Sequence, residues 1–208
     1  MSPTPVAVLV SGGGRTVENL FELSASGELD ARVAVVISDR PGVHALERAA
    51  RRDVPGLVVA RREHGDPDAF GDAIFKLVEE HGCELVVLAG FLSLLPVPLT
   101  WLGRVINIHP ALLPAFGGKG CYGDRVHAAV LERGVQFTGC TVHYVDNEYD
   151  SGPIILQRAV EVATDDTVES LAARVFEEEK LALPEAIRRH LAAGAPFGAS
   201  RCPVPHPS

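Results

Sequence analysis

Short runs that are apolar at nearly every position, each followed by a stretch at helical spacing, leave this chain few folds to choose from. Residues 6–10, 34–38, 57–60 and 83–89 are such runs. A strand with one wet face alternates polar and apolar, whereas a strand apolar throughout is covered on both sides. Between the runs, residues 17–23, 43–52 and 67–81 repeat apolar side chains at three and four, the last through Phe70, Ile74, Leu77 and Val78. This alternation predicts an α/β chain: an open, mostly parallel Rossmann-like sheet with helices on both faces. Residues 138–145 and 154–162 flank the acidic turn Asp146-Asn147-Glu148-Tyr149-Asp150-Ser151-Gly152-Pro153 and read as an antiparallel C-terminal extension. A last helix is expected over residues 167–193, with Thr167 and Asp166 as cap candidates and a stripe of Leu171, Val175, Leu181 and Ile187. Pro184 inside it predicts a kink or break.

Two stretches carry chemistry. The run Val105-Ile106-Asn107-Ile108-His109-Pro110 is a buried strand ended by a forced turn. Asn107 and His109 are two apart, so a strand presents both on one side, at the end where such sheets open to ligands. An amide can donate to a developing oxyanion, and an imidazole can donate or move a proton. Ser11-Gly12-Gly13-Gly14-Arg15-Thr16 lies between the first strand and the first helix. Backbone N–H groups and a helix N-terminus suit an anion there, with Arg15 adding a charge and Thr16 an N-cap. Residues 115–123, rich in glycine, fit a lid over a site, and Asp124 is a cap candidate for the helix that follows. His143 reads equally as a structural or a site histidine. Residues 90–96 form an apolar loop suited to the wall of a pocket for a flat ring.

Composition narrows the class. The apolar fraction of 47% is that of a globular chain. A net charge of −8 speaks against nucleic acid as the main partner. No apolar run is long enough for a bilayer, and no signal peptide is expected. Cys83, Cys121, Cys140 and Cys202 form no C-x-x-C and read as reduced thiols of a cytoplasmic protein. With no Cys/His cluster at zinc spacing, no metal is expected.

Three motifs together name a family. Residues 107–114 (Asn-Ile-His-Pro-Ala-Leu-Leu-Pro), 138–145 (Thr-Gly-Cys-Thr-Val-His-Tyr-Val) and 150–157 (Asp-Ser-Gly-Pro-Ile-Ile-Leu-Gln) resemble the formyltransferases that use 10-formyltetrahydrofolate. With the glycine-rich turn, the chain is similar to the members that formylate phosphoribosylglycinamide in de novo purine (IMP) biosynthesis. The resemblance covers about residues 5–192 and implies the formyltransferase fold. It implies one domain over residues 1–194, with a phosphate-binding half (1–103) and a catalytic and folate-binding half (104–194); residues 195–208, rich in Pro, Gly and Ser, read as a flexible tail. It places Asn107, His109 and Asp150 on the catalytic triad. Gly14, Arg15 and Thr16 fall on the phosphate loop, and Glu179 on the acid that binds the ribose. Leu92, Ser93, Leu94 and Leu95, with Asn107 and with Val145, Asp146, Asn147, Glu148 and Tyr149, fall on the folate pocket. In the family's bacterial short form an Arg stands where this chain has Ser93, and another near Pro67; Gly14-Arg15-Thr16 replaces the usual Gly-Ser-Asn.

The implied partners are two small molecules, phosphoribosylglycinamide and 10-formyltetrahydrofolate as co-substrate, handled without nucleic acid, membrane or metal by a monomer or homodimer. The expected chemistry is direct acyl transfer through a tetrahedral intermediate. Asn107 and a protonated His109 would hold the oxyanion, Asp150 would raise the His109 pKa, and an ordered water would carry the proton. The nearest rival is formyltetrahydrofolate hydrolase, which shares the Asn, His and Asp but has a regulatory domain ahead of its catalytic part. From another class comes a dinucleotide-binding module built on Gly12, Gly14 and Asp39, whose third glycine is here Val17. A metal hydrolase using His109, His143 and Asp150 is a weaker rival.

Overall fold

The computed structural model describes residues 2–193. The tail expected over residues 195–208, and Cys202 within it, lie outside the described residues. In chain order the elements are β1 (Thr4–Val10), α1 (Arg15–Ser26), β2 (Ala31–Ser38), α2 (His44–Arg51), β3 (Gly56–Val58), α3 (Pro67–Glu80), β4 (Leu85–Leu88), β5 (Val105–His109), α4 (Asp124–Arg133), β6 (Phe137–Tyr144), β7 (Ile154–Glu161) and α5 (Val168–Ala193). They build one seven-stranded sheet in the order β3-β2-β1-β4-β5-β6-β7. The first five strands are parallel and β6 and β7 antiparallel, as the apolar runs and the acidic turn implied.

The chain winds outward from β1 in one direction, then returns to place β4 on its other side. Such a reversal opens a crevice at the carboxyl ends of the two central strands. Successive residues of β1 feed opposite faces: Val6, Val8 and Val10 pack with α1, α2, α4 and α5, while Ala7 and Leu9 pack with α3. Both faces are therefore dry, and polar groups collect at the strand ends. Two contacts tie the crevice walls together: Ser11 donates its backbone N–H to Gly90 O (3.0 Å), and Leu92 N–H donates to Ser11 Oγ (2.9 Å).

Several local expectations differ. Helix α5 runs unbroken through Pro184. Proline has no N–H, so the carbonyl four residues back, Lys180 O, loses its helical partner. Asn19 Nδ2 of α1 donates to that carbonyl at 3.0 Å instead. Leu181 is 55% exposed, because six positions beyond Val175 is about 240° round the helix. The buried face runs through Leu171, Val175, Ala182, Leu183, Ala186 and Ile187. Thr167 does cap this helix, its Oγ1 accepting from Ser170 N–H at 3.2 Å. Thr16 does not cap α1: the helix starts one residue earlier, after a left-handed Gly14 (φ 71°). Nor is Asp124 a cap, since it is the first helical residue of α4, behind Gly123.

Candidate active site

Asn107 and His109 sit on the last turn of pleat of β5 and face the same side, and the neighbouring strand completes their surroundings. β6 pairs antiparallel with β5, setting His143 directly opposite Asn107 and Thr141 opposite His109. Asn107 Nδ2 lies 3.0 Å from His143 Nε2 and 3.4 Å from Asp150 Oδ1. Asp150 comes from the turn between β6 and β7, and a close backbone approach brings it back. A Cβ on Gly152 would stand 1.9 Å from Tyr144 O, and Tyr144 N–H donates to Pro153 O at 2.9 Å. Only glycine lets the turn fold onto the end of β6 in this way. Asp150 itself is left-handed (φ 55°), which points its carboxylate at His109: Oδ2 is 3.6 Å from His109 Nδ1.

The glycine-rich segment closes this cluster with backbone groups. Gly118 N–H donates to Asp150 Oδ2 at 2.8 Å, and His109 Nε2 lies 2.9 Å from Phe116 O. A carbonyl only accepts, so Nε2 of His109 carries the proton and Nδ1 is the basic atom beside Asp150. Burial pushes the His109 pKa down; Asp150 and Phe116 O pull it up without cancelling the loss. Asp150 therefore acts in the expected direction, but the net shift is downward, because a 3% exposed imidazole is poorly hydrated when charged. For Asp150 the balance is reversed. Burial alone would raise its pKa, yet the His143 and His109 imidazoles and the Gly118 N–H together hold it below the usual carboxylate value.

A cavity of about 560 Å³ joins this cluster to the glycine turn. Gly14, Arg15, Thr16, Leu92, Tyr149 and Glu179 line it together with Asn107, His109 and Asp150. Gly14 is needed where it is: a Cβ there would stand 2.6 Å from Ala45 Cβ. Glu179 is partly buried, and burial pushes its carboxyl up to about 7, with Arg15 only partly offsetting this. The Arg15 guanidinium stacks 4.1 Å over the ring of Phe176, one helical turn before Glu179. Lys119, Arg125 and His127 also face the cavity. Burial lowers the pKa of His127, whose Nδ1 is without a hydrogen-bond partner among the described residues.

The segments placed on the folate pocket do not all converge. Ser93, Leu94, Leu95, Val145, Asp146, Glu148 and Tyr149 surround a small second cavity of about 50 Å³ that shares Asn107, Asp150 and Phe91 with the first. Leu92 faces the first cavity, not the second. Asn147 stands apart: its Oδ1 accepts from Val97 N–H at 2.8 Å, and it lines a third cavity of about 480 Å³ with Pro67, Asp68 and Asp72. The Ser93 hydroxyl donates to Asp39 Oδ2 (2.7 Å), which also accepts from Arg40. Asp39, the acid a dinucleotide ribose would need, is thus already engaged. His143 is equally committed, with Nδ1 2.8 Å from Tyr144 O and Nε2 on Asn107, which leaves it no lone pair for a metal.

Sequence reasoning did not single out Phe176, His127 or the backbone groups of Phe116 and Gly118, whereas Phe91 belongs to the 90–96 loop read as a pocket wall. Phe176 had one available signal, its i−3 spacing from Glu179 on a helix.

A mostly parallel sheet with an Asn, His and Asp cluster at its reversal crevice defines a class, and the comparisons give it a name. The chain belongs to the formyl transferase family, whose model matches residues 4–187. Over 185 residues it is 42% identical to the trifunctional purine biosynthetic protein adenosine-3 of Gallus gallus, covering 88% of this chain and 18% of that protein. It is 41% identical over 177 residues to the chloroplastic phosphoribosylglycinamide formyltransferase of Arabidopsis thaliana, covering 84% of this chain and 61% of that one. The chain thus spans less than two thirds of the length of these curated relatives. Among solved structures, glycinamide ribonucleotide transformylase 1 from Symbiobacterium toebii matches with a TM-score of 0.84 at 41% identity, covering 92% of this chain and 88% of the other. Phosphoribosylglycinamide formyltransferase from Bacillus halodurans matches with a TM-score of 0.83 at 31% identity, covering 94% and 100%.

Proposed function

We propose that the chain transfers the formyl group of 10-formyltetrahydrofolate to the amine of phosphoribosylglycinamide. The observation that carries this reading is one cavity with two ends. At one end stand Asn107, His109 and Asp150; at the other, the Gly12 to Gly14 turn, Arg15 and Glu179. A reacting carbon and a phosphorylated ribose can then be held at once, which turns a two-molecule encounter into a positioned reaction.

The substrate's phosphate is held by the backbone N–H groups at the start of α1 with the Arg15 charge, and its ribose hydroxyls by Glu179. The folate ring lies on the side of Phe91, Ser93, Leu94, Leu95, Val145, Asp146, Glu148 and Tyr149, with Asn147 standing apart. The amine attacks the formyl carbon, the bond from that carbon to the folate nitrogen breaks, and a proton passes from the amine to the departing nitrogen. Asn107 donates an N–H to the oxyanion. His109 Nδ1 takes the amine proton, and the Asp150 carboxylate stabilises the imidazolium so formed. The histidine is therefore a proton carrier in this account and not a standing charge, since burial keeps it from being charged at rest.

Every group named comes from one chain, so a monomer or a homodimer would serve equally. Cytoplasmic work is supported by buried, free Cys83 and Cys140, whose thiols burial pushes up to about 11 and about 12 and so keeps unreactive. Among the described residues, no helix is long and apolar enough to cross a membrane. The deciding experiment measures release of folate product with and without phosphoribosylglycinamide. Product formation that requires the ribosyl substrate is expected; equal turnover in its absence would make the chain a hydrolase.

A further inference from the structure

His143 is 2% exposed, lies directly across the ladder from Asn107, and takes no part in the chemistry above. Its two ring nitrogens have different partners. Nδ1 is 2.8 Å from Tyr144 O, which only accepts, so Nδ1 carries the proton. In the neutral ring Nε2 is then an acceptor. It lies 3.0 Å from Asn107 Nδ2 against 3.7 Å from Asp150 Oδ1, so the amide is its hydrogen-bond partner and the carboxylate a more distant electrostatic neighbour. The local backbone explains why the ring can reach the carbonyl of its own neighbour. The β6–β7 register shifts between Val142 and His143, and such an irregularity re-aims a side chain.

We propose that His143 is a positioning residue for Asn107: its Nε2 accepts one amide N–H and so fixes which end of that amide faces the reacting carbon. An asparagine amide turned by 180° fills the same space and presents an oxygen where a nitrogen stood. Here the reversed amide would set Oδ1 against the Nε2 lone pair and near Asp150 Oδ1, acceptor facing acceptor twice. In the observed orientation one N–H is taken by Nε2. The other has only a long contact, 3.4 Å, with Asp150 Oδ1, and is the donor an oxyanion can claim. This deepens the formyl-transfer reading and rests on it for the oxyanion, while the hydrogen bond itself stands without it.

Two measurements test it. In the ligand-free protein, ¹⁵N NMR of labelled histidine should show His143 Nδ1 protonated and Nε2 as a bare acceptor. A proton on Nε2 would overturn the proposal, whatever the enzyme's activity. In kinetics, His143→Phe keeps a ring but has no acceptor, and should lower kcat about 10- to 100-fold, the scale of a small misplacement at the reacting centre. Both KM values should stay within about threefold. His143→Gln, whose side-chain oxygen can accept from Asn107, should recover much of that loss. A folded His143→Phe with wild-type kcat, or a His143→Gln as impaired as the phenylalanine variant, would return His143 to a purely structural role. Should His143→Phe not fold, the NMR result and the glutamine variant decide. Should wild-type protein form no formylated product, the function fails, and the NMR result still judges the pairing.

Discussion

Two carboxylates face the same cavity and are treated in opposite ways. Asp150 is surrounded by a backbone N–H and two imidazoles and held below its usual pKa. Glu179 stands mid-helix with Arg15 as its charged neighbour, and burial pushes it up to about 7. The difference lies in what surrounds each one. The Gly118 N–H reaches the Asp150 carboxylate before any ligand arrives, a preorganised contact of the kind that chemistry needs. The carboxylate of Glu179 is left for ligand hydroxyls to satisfy. On the proposed reading Asp150 serves the transition state and Glu179 serves binding, and substitutions at the two should separate accordingly.

The largest effect is expected at the chemical end. Asp150→Asn keeps the shape and removes the charge, so kcat should fall on the order of 10²-fold, with both KM values much less changed. The pKa of His109, already lowered by burial, loses the carboxylate that pulls it upward and should fall further, as followed by NMR of its ring protons. Near-normal kcat with an unmoved His109 pKa would leave Asp150 as a turn residue. Gly152→Ala acts on the same carboxylate through the backbone. Its methyl would meet Tyr144 O at 1.9 Å, so the turn must shift and Asp150 with it. A loss in kcat of about 10-fold or more is expected from such a displacement, and steady-state kinetics on the folded variant measures it.

At the binding end, Glu179→Gln should raise KM for the ribosyl substrate about 10-fold, the worth of a hydrogen bond to a charged group, with kcat and folate KM nearly unchanged. In the wild type the same KM should climb as pH falls below about 7, where Glu179 takes up its proton, and this climb should vanish in the variant. The smallest effect is on stability. A carboxyl whose folded pKa lies above its unfolded value favours folding below the unfolded pKa, and loses that contribution as pH rises through about 7. Glu179→Gln should therefore be more stable than wild type above pH 7, by on the order of 2 kcal/mol once solvent screening is allowed for. Thermal melts at pH 8 measure this, and a less stable variant would contradict it. Asp150 has the opposite linkage: its contribution is present above the unfolded carboxylate pKa and is lost in acid.

The parallel sheet was readable because both-face burial writes itself into single runs such as Val6 to Val10. The Asn107 and His109 pair was readable because a strand repeats every second residue. What escaped depends on partners distant in sequence. Pro184 reads as a break until Asn19, 161 residues from Lys180, is seen to supply the missing donor. His143 reads as neutral between two roles until the β5–β6 register sets it opposite Asn107. The downward pKa of His109 follows from how completely the fold buries it, which no local pattern states. Leu181 was misplaced for a simpler reason, a stripe drawn at six residues where the helix repeats at 3.6.

The division between the two carboxylates is open to direct observation by ¹³C NMR titration of side-chain carboxyl signals in the ligand-free protein, with Asp150→Asn and Glu179→Gln serving to assign them. The account predicts that Glu179 titrates near pH 7, while Asp150 stays charged to a pH below the ordinary aspartate value of 3.8. Two carboxylates titrating together near pH 4, or Asp150 above Glu179, would contradict it.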